Sequence, residues 1–325
     1  MAERIGITTT VPSEIVYAAG CVPVDLNNIF IADRDPGGMV DQAERAGYPA
    51  NVCAWIKGIY SATLREGIKK IIAVTQGDCS NTHALMETLE MEGVEIIPFA
   101  FPFDRDRDLL GLQLDKLVER LGTGWDGVLK TSAELGAIRK KVHLIDRLTW
   151  QENVVTGKEN HLFQVSCSDL EGDPAAFEEK VDSFLAGLGS RAPDRKRIRI
   201  GYIGVPPIMD DLYDYLEEKG ARVVYNEVQR QFSMPFDTED LIEQYRLYSY
   251  PYGIFYRLRD ITGEIARRRI DGIIHYAQSF CYRQIEDMII RKRLDVPVLT
   301  LEGDRPNGLD ARTRLRIDSF IEMLQ

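Results

Sequence analysis

The sequence predicts an α/β protein of two Rossmann-like parallel-sheet domains with a helical connection. Three observations predict it. Short apolar runs alternate with longer amphipathic stretches, the order expected of β-α-β units. The alternation occurs in the first part of the chain and again in the last. A polar, turn-rich and partly basic stretch, residues 189–197, lies between the two parts and reads as a linker. The length of 325 residues suits two domains of roughly 100–200 residues each. The expected boundaries are 1–190, an N-terminal α/β domain with a helical extension, and 191–325, a C-terminal α/β domain.

In the first domain, Arg4–Thr8 reads as a short strand, Ser13–Ala19 as a helix ended by Gly20, and Cys21–Leu26 as extended chain around Pro23. Asn51–Arg65 reads as a helix with Asn51 as its N-cap. Lys70–Thr75 is a buried-strand run. Asn81–Glu92 is helical, capped by Ser80 or Asn81 and stopped by Gly93. Glu95–Phe99 is another strand. Leu109–Leu121, Trp125–Trp150 and Pro174–Leu188 form the helical connection. In the second domain, Ile198–Ile203, Arg222–Glu227, Gly272–Tyr276 and Val296–Leu301 read as strands. Met209–Lys219, Ile254–Arg269 and Tyr282–Lys292 read as helices. Ile317, Phe320, Ile321 and Leu324 form one apolar face of a final helix.

Composition narrows the function. Hydrophobic content of 44% and charged content of 28% suit a soluble protein with a sizeable core. A net charge of −11 argues against non-specific nucleic-acid binding, which needs cationic side chains to neutralise phosphates. No segment reaches the ~18 consecutive apolar residues of a membrane helix. The N-terminus lacks the basic-then-apolar pattern of a signal peptide, so a cytoplasmic location is expected. Five scattered cysteines suit free thiols or metal ligation better than paired disulfides. The absence of a CxxC pair argues against a zinc ribbon or a ferredoxin-type run.

Three of the cysteines share a setting. Cys79 follows the strand Lys70–Thr75, and Cys281 follows the strand Gly272–Tyr276. Cys53 is expected in the first turn of the helix opened by Asn51. All three thiols are thus expected at helix N-termini, which lower thiol pKa and favour the metal-binding thiolate. Ligands of open α/β sheets bind at the carboxyl edge of the strands. The wide sequence separations suit a ligand set assembled across a cleft between the domains. Three thiolates suit a cubane cluster with one iron left open. The alternative is that each thiol only packs a core. Cys21 reads as core, and Cys167 has no comparable placement.

Here the residues resemble a known family. Pro12-Ser13-Glu14-Ile15-Val16-Tyr17-Ala18-Ala19-Gly20-Cys21-Val22-Pro23-Val24 is similar to the N-terminus of the 2-hydroxyacyl-CoA dehydratase and benzoyl-CoA reductase iron–sulfur subunits. Val74–Asn81 resembles their second cysteine segment, and Asp271–Cys281 the third. Val296–Asp304 and Thr313–Leu324 resemble the closing strand and helix. The resemblance spans nearly the whole chain. It implies a [4Fe-4S] cluster on Cys53, Cys79 and Cys281 in the interdomain cleft. It also implies a separate ATP-hydrolysing activator that injects a low-potential electron, and a homodimer or a heterodimer with a homologous subunit. The chain has no GxxxxGK[ST] phosphate loop, which fits energy input from a partner. In the dehydratases the electron makes a ketyl radical of the acyl-CoA thioester, water is lost, and the electron returns. In the aromatic reductases the electrons stay in the product. A related branch carries a double-cubane [8Fe-9S] cluster and reduces small molecules. Such a cluster wants about six thiolates, and five cysteines within one chain count against it. Family dehydratase subunits are usually longer, so some acyl-CoA-binding elements are expected to be missing here.

Other residues complete the candidate site. Glu302 and Asp304, just past the last strand, are candidates for general base or ligand; the alternative is a cap or surface turn. His83, four residues after Cys79, is a candidate proton donor or a plain helix-surface residue. Tyr276, Gln278 and Ser279 precede Cys281 and are candidates to hydrogen-bond cluster or substrate. His275 is expected to be buried and hydrogen-bonded. The aromatic run Tyr245, Tyr248, Tyr250, Tyr252, Phe255 and Tyr256 is expected to pack a loop or a subunit contact. Three further readings stand beside the dehydratase: a small-molecule reductase, a non-catalytic electron-transfer or cluster-carrying subunit, and a ligand-binding α/β protein without metal.

Overall fold

A computed structural model describes residues 2–193 and 198–325. The expected linker, 189–197, therefore lies partly outside the described residues. Among the described residues, eight strands form two four-stranded sheets, every pair parallel. β1 (Arg4–Ile7), β2 (Val22–Asp25), β3 (Lys70–Gln76) and β4 (Glu95–Ala100) take the order β2-β1-β3-β4. β5 (Ile198–Gly204), β6 (Ala221–Asn226), β7 (Gly272–Gln278) and β8 (Val298–Gly303) take the equivalent order β6-β5-β7-β8. The expected α/β class and the two parallel sheets are both present.

The strand period of two explains the layers. Ile72 and Val74 point into one apolar core, shared with Ile5, Ile7 and the helical connection. Ile71 and Ala73 point into the other. That second core also takes Ile200, Tyr202, Ile274 and Tyr276 from the second sheet, so one face of each sheet is buried in common. Strands covered on both faces read as continuous apolar runs, which is why the sequence revealed them.

The halves interlock further. Helices Glu227–Phe232 and Leu241–Leu247 belong by sequence to the second half, yet Val228, Phe232, Leu241 and Tyr245 pack into the first sheet's outer core. Tyr248, Tyr250 and Tyr252 join them, against Phe101 and Phe232. Of the aromatic run, Tyr245, Tyr248, Tyr250 and Tyr252 are thus buried packing residues, Tyr256 is half-buried and Phe255 is exposed.

Several elements differ from expectation. The helix expected over Asn51–Arg65 begins at Ala54, because Asn51 and Val52 lie in a turn in which the Val52 amide donates to the Pro49 carbonyl. The helix after Cys79 begins at Thr82, and Asn81 stands at its N-cap without a side-chain cap bond. The stretch after Cys281 is a 3₁₀ turn, Tyr282–Glu286, before the helix Asp287–Arg293. Helices Leu26–Ala32, Pro36–Arg45 and Gly157–Val165 were not expected.

Candidate functional site

In each sheet the chain leaves the first strand, adds a neighbour on one side, then crosses to the other side. That reversal leaves a crevice at the carboxyl ends, between β1 and β3 and between β5 and β7. A cavity of about 120 Å³ lies where these crevices meet. Thr8 and Thr9 reach it from β1, Asp78 and Cys79 from β3, Val205 and Pro206 from β5, and Gln278 and Cys281 from β7. Cys53, buried at the N-cap of Ala54–Arg65, completes the thiols. It is reached from a helix and a loop rather than from a strand.

Two glycines shape the strand-end turns. Gly77 has φ +102°, and a Cβ there would lie 2.6 Å from the Pro251 Cβ. Gly204 has φ +99°, and a Cβ there would meet the Tyr276 carbonyl oxygen at 2.3 Å. Neither position accepts a side chain without backbone movement.

The three thiols share a local design. The backbone amide two residues ahead hydrogen-bonds each sulfur: Trp55 for Cys53, Asn81 for Cys79 and Arg283 for Cys281. Helix-end amides were expected to lower the thiol pKa values, and the outcome is opposite. Burial pushes Cys53 and Cys79 up to about 12 and also raises Cys281, because desolvation outweighs the amides. The thiols sense one another, Cys53 facing both Cys79 and Cys281. Among the described residues, no three His, Cys, Asp or Glu side chains gather closely enough for a single ion. Cys21 and Cys167 stay away from the cavity; the Cys167 thiol donates to the Phe163 carbonyl at 3.4 Å in the outer core.

The other predicted site residues divide. Gln278 lines the cavity, with every polar atom of its side chain engaged. Its Oε1 accepts from the Tyr276 hydroxyl at 2.6 Å, and its Nε2 donates to the Asp304 carbonyl at 2.8 Å. Tyr276 stands behind it, fully buried. The Ser279 backbone amide donates to the Gly303 carbonyl, and its side chain does not line the cavity. His83, Glu302 and Asp304 are exposed and lie outside the lining; the His83 Nε2–H donates to the Thr75 carbonyl at 3.1 Å. His275 is buried, with Nδ1 hydrogen-bonded to Asp287 at 2.7 Å.

The cavity also holds residues that sequence reasoning passed over. Burial pushes the Asp78 carboxyl up to about 6, against the pull of Arg283, the Cys79 amide and the Tyr250 hydroxyl. Arg283 places a guanidinium on the same wall, donating to the Tyr250 carbonyl at 2.9 Å. His161 is pushed down to about 4 by burial, so its ring is neutral; it lies against Tyr213, with ring centroids 5.0 Å apart. The signal for Asp78 and Arg283 was adjacency: one precedes Cys79, the other follows Cys281 by two.

No helix among the described residues is long and apolar enough to cross a membrane. No curated protein matches the chain. A family model described as 2-hydroxyglutaryl-CoA dehydratase, D-component, matches residues 8–324, and the chain belongs to that family.

Proposed function

We propose that this chain is the cluster-bearing subunit of a reductive 2-hydroxyacyl-CoA dehydratase, with Cys53, Cys79 and Cys281 as the ligands of a [4Fe-4S] cluster. One observation supports the reading above all: of five cysteines, the three that reach the cavity come from separate parts of the fold and converge there. The cluster supplies one-electron chemistry at low potential, with one iron free of protein thiolate. The electron comes from an ATP-hydrolysing activator, and a second subunit of the same family completes the assembly.

The chain's own residues prepare the cleft. Arg283 sets a fixed positive charge beside Cys281 and faces a thiol group that becomes anionic on metal binding. Gln278, locked by Tyr276 and the Asp304 carbonyl, holds the strand end that carries Cys281. Thr8, Thr9, Asn27 and Asn28 offer neutral polar groups for a thioester or hydroxyl. Pro206, Pro207 and Phe232 exclude water.

A small-molecule reductase is the second reading. Drug-sized ligands occupy pockets of about 300–1,000 Å³, and a cavity of about 120 Å³ favours either a small substrate or a pocket finished by a partner.

Anaerobic reconstitution tests the cluster: a brown chain with about four irons and four sulfides is expected. A colourless, iron-free chain overturns it. Incubation with a 2-hydroxyacyl-CoA, activator, ATP and reductant then separates the two readings. A dehydratase yields the enoyl-CoA with only catalytic amounts of electrons, whereas a reductase consumes them in proportion to product.

A further inference from the structure

Two buried carboxylates, Asp25 and Asp169, lie close enough at the edge of the cleft for the charge of one to act on the other, and they have no role in the chemistry above. β2 ends at Asp25, which caps the helix Leu26–Ala32. Its Oδ1 accepts from the Asn27 backbone amide at 2.9 Å and from the Asn27 side chain at 3.0 Å. The backbone amide of Asp25 donates to Asp169 Oδ2 at 2.7 Å, and Asp169 Oδ1 accepts from the Glu171 amide at 3.0 Å. Asp25 is 4% exposed and Asp169 7%. Asp25 stands on the wall of the cavity that the three thiols line, with Asp169 behind it.

The cation that reaches this neighbourhood, Arg139, acts on Tyr17 and Cys167 but is ion-paired with Glu14. Tyr17 donates to the Asp169 carbonyl at 2.5 Å, and Glu171 and Cys167 face Asp169 from its own segment. Ser168 hydrogen-bonds Asp25, while Asp78 and Tyr248 face Asp25 from the loops beyond β3 and helix Leu241–Leu247. Among the described residues, neither carboxylate pairs with a Lys or Arg. Two adjacent carboxylates held away from water and without a cation do not both ionise. Burial raises both, and the charge of Asp25 raises Asp169 further.

We infer that Asp25 and Asp169 share one proton, and that Asp25, the member on the cavity wall, carries it between the carbon and the departing oxygen of the substrate. This rests on the cleft being the dehydration site. As a carboxylate, Asp25 takes the β-proton: a C–H bond breaks and an O–H bond forms on Asp25. As a carboxylic acid, it returns a proton as the α-carbon's C–O bond breaks, and the hydroxyl leaves as water. The pair ends in its starting state. The electron borrowed from the activator is returned, so no oxidant is consumed. Asp169 is a positioning residue whose charge keeps the proton on the pair.

The test uses the full chain with Asp25→Asn and Asp169→Asn. Asn caps a helix as well as Asp does, so Asp25→Asn keeps the start of Leu26–Ala32. Infrared difference spectra through neutral pH are expected to show, beside the contribution of Asp78, a protonated-carboxyl contribution that both variants lack. In the reconstituted enzyme, Asp25→Asn is expected to lose about 10²–10⁴-fold in kcat, the usual share of a general acid–base group, with iron content unchanged. Asp169→Asn is expected to move a limb of the kcat–pH profile to lower pH, since Asp25 then ionises more readily. A protonated-carboxyl signal undiminished from the parent's in both variants, or a kcat for Asp25→Asn within about twofold of the parent (against the loss expected of a general acid–base group), overturns the inference. If the chain takes up no cluster, the dehydratase reading falls, and the infrared band still decides the shared proton.

Discussion

Arg268 grips Asp146 with two hydrogen bonds, Nη1 to Oδ1 at 2.8 Å and Nη2 to Oδ2 at 2.6 Å. The pair ties the long helix Trp125–Arg147 of the first half to the helix Ile254–Arg268 of the second. Asn160 and Gln164 also donate to Asp146 Oδ1, at 2.9 and 3.2 Å. The interdomain cavity keeps its shape only while the halves stay joined, so this pair bears on function although it lies outside the cavity lining.

Loss of Arg268 is therefore costly. Arg268→Met removes the hydrogen-bonded counter-charge of Asp146, leaving only the more distant Arg230, and also breaks the Arg268–Glu264 pair, so a loss of about 3–5 kcal/mol in urea unfolding is expected. The pH dependence has a definite sign. Burial pushes Asp146 up, but Arg268 and the other donors outweigh it and hold the carboxyl at about 2. A depressed folded pKa stabilises above the unfolded value of about 3.9, and that stability is lost as pH falls towards 2. The parent chain is expected to lose stability over that window, and Arg268→Met to lose much less. Equal acid sensitivity in both proteins would count against the assignment.

Single-cysteine substitutions check the ligand set. Cys53→Ser, Cys79→Ser and Cys281→Ser are each expected to abolish most of the iron bound after anaerobic reconstitution. Cys167→Ser is expected to retain it, because that thiol only packs the outer core. Iron and sulfide analysis with absorption spectra reads both outcomes. Equal loss from Cys167→Ser and Cys281→Ser would refute the choice of ligands.

What the sequence disclosed and what it withheld have physical reasons. Lys70–Gln76 and Gly272–Gln278 were legible because the buried stretch of each carries an apolar run, Ile71–Val74 and Ile273–Ile274, as strands covered on both faces tend to. Cys79 and Cys281 were legible because they follow those strands directly. Helix Glu227–Phe232 was not, because all six residues are buried and no polar face marks a helical period. Helix Gly157–Val165 did carry a signal, the capping box of Thr156 and Glu159, and could have been read. His83, Glu302 and Asp304 sit near the right strand ends, but side-chain direction is fixed by packing that a linear pattern does not show. Asp169 approaches Asp25 across the fold, a contact no local motif announces.

Gly77 turns the chain between β3 and Cys79, in a left-handed conformation and hard against Pro251 and Phe101. Gly77→Ala adds one methyl, but in a region where φ is unfavourable and the space is filled, so its cost is expected to exceed ~1 kcal/mol. The strain is relieved most easily by shifting Asp78 and Cys79, which follow at once. Urea unfolding is expected to show a modest loss of stability, while iron retention after reconstitution falls by more than that loss predicts. A surface control separates the effects: Gly136→Ala in the helix Trp125–Arg147, where a Cβ meets nothing within 4 Å, is expected to leave iron retention unchanged. If Gly77→Ala keeps its full iron complement, the turn only folds the chain and does not set the position of Cys79.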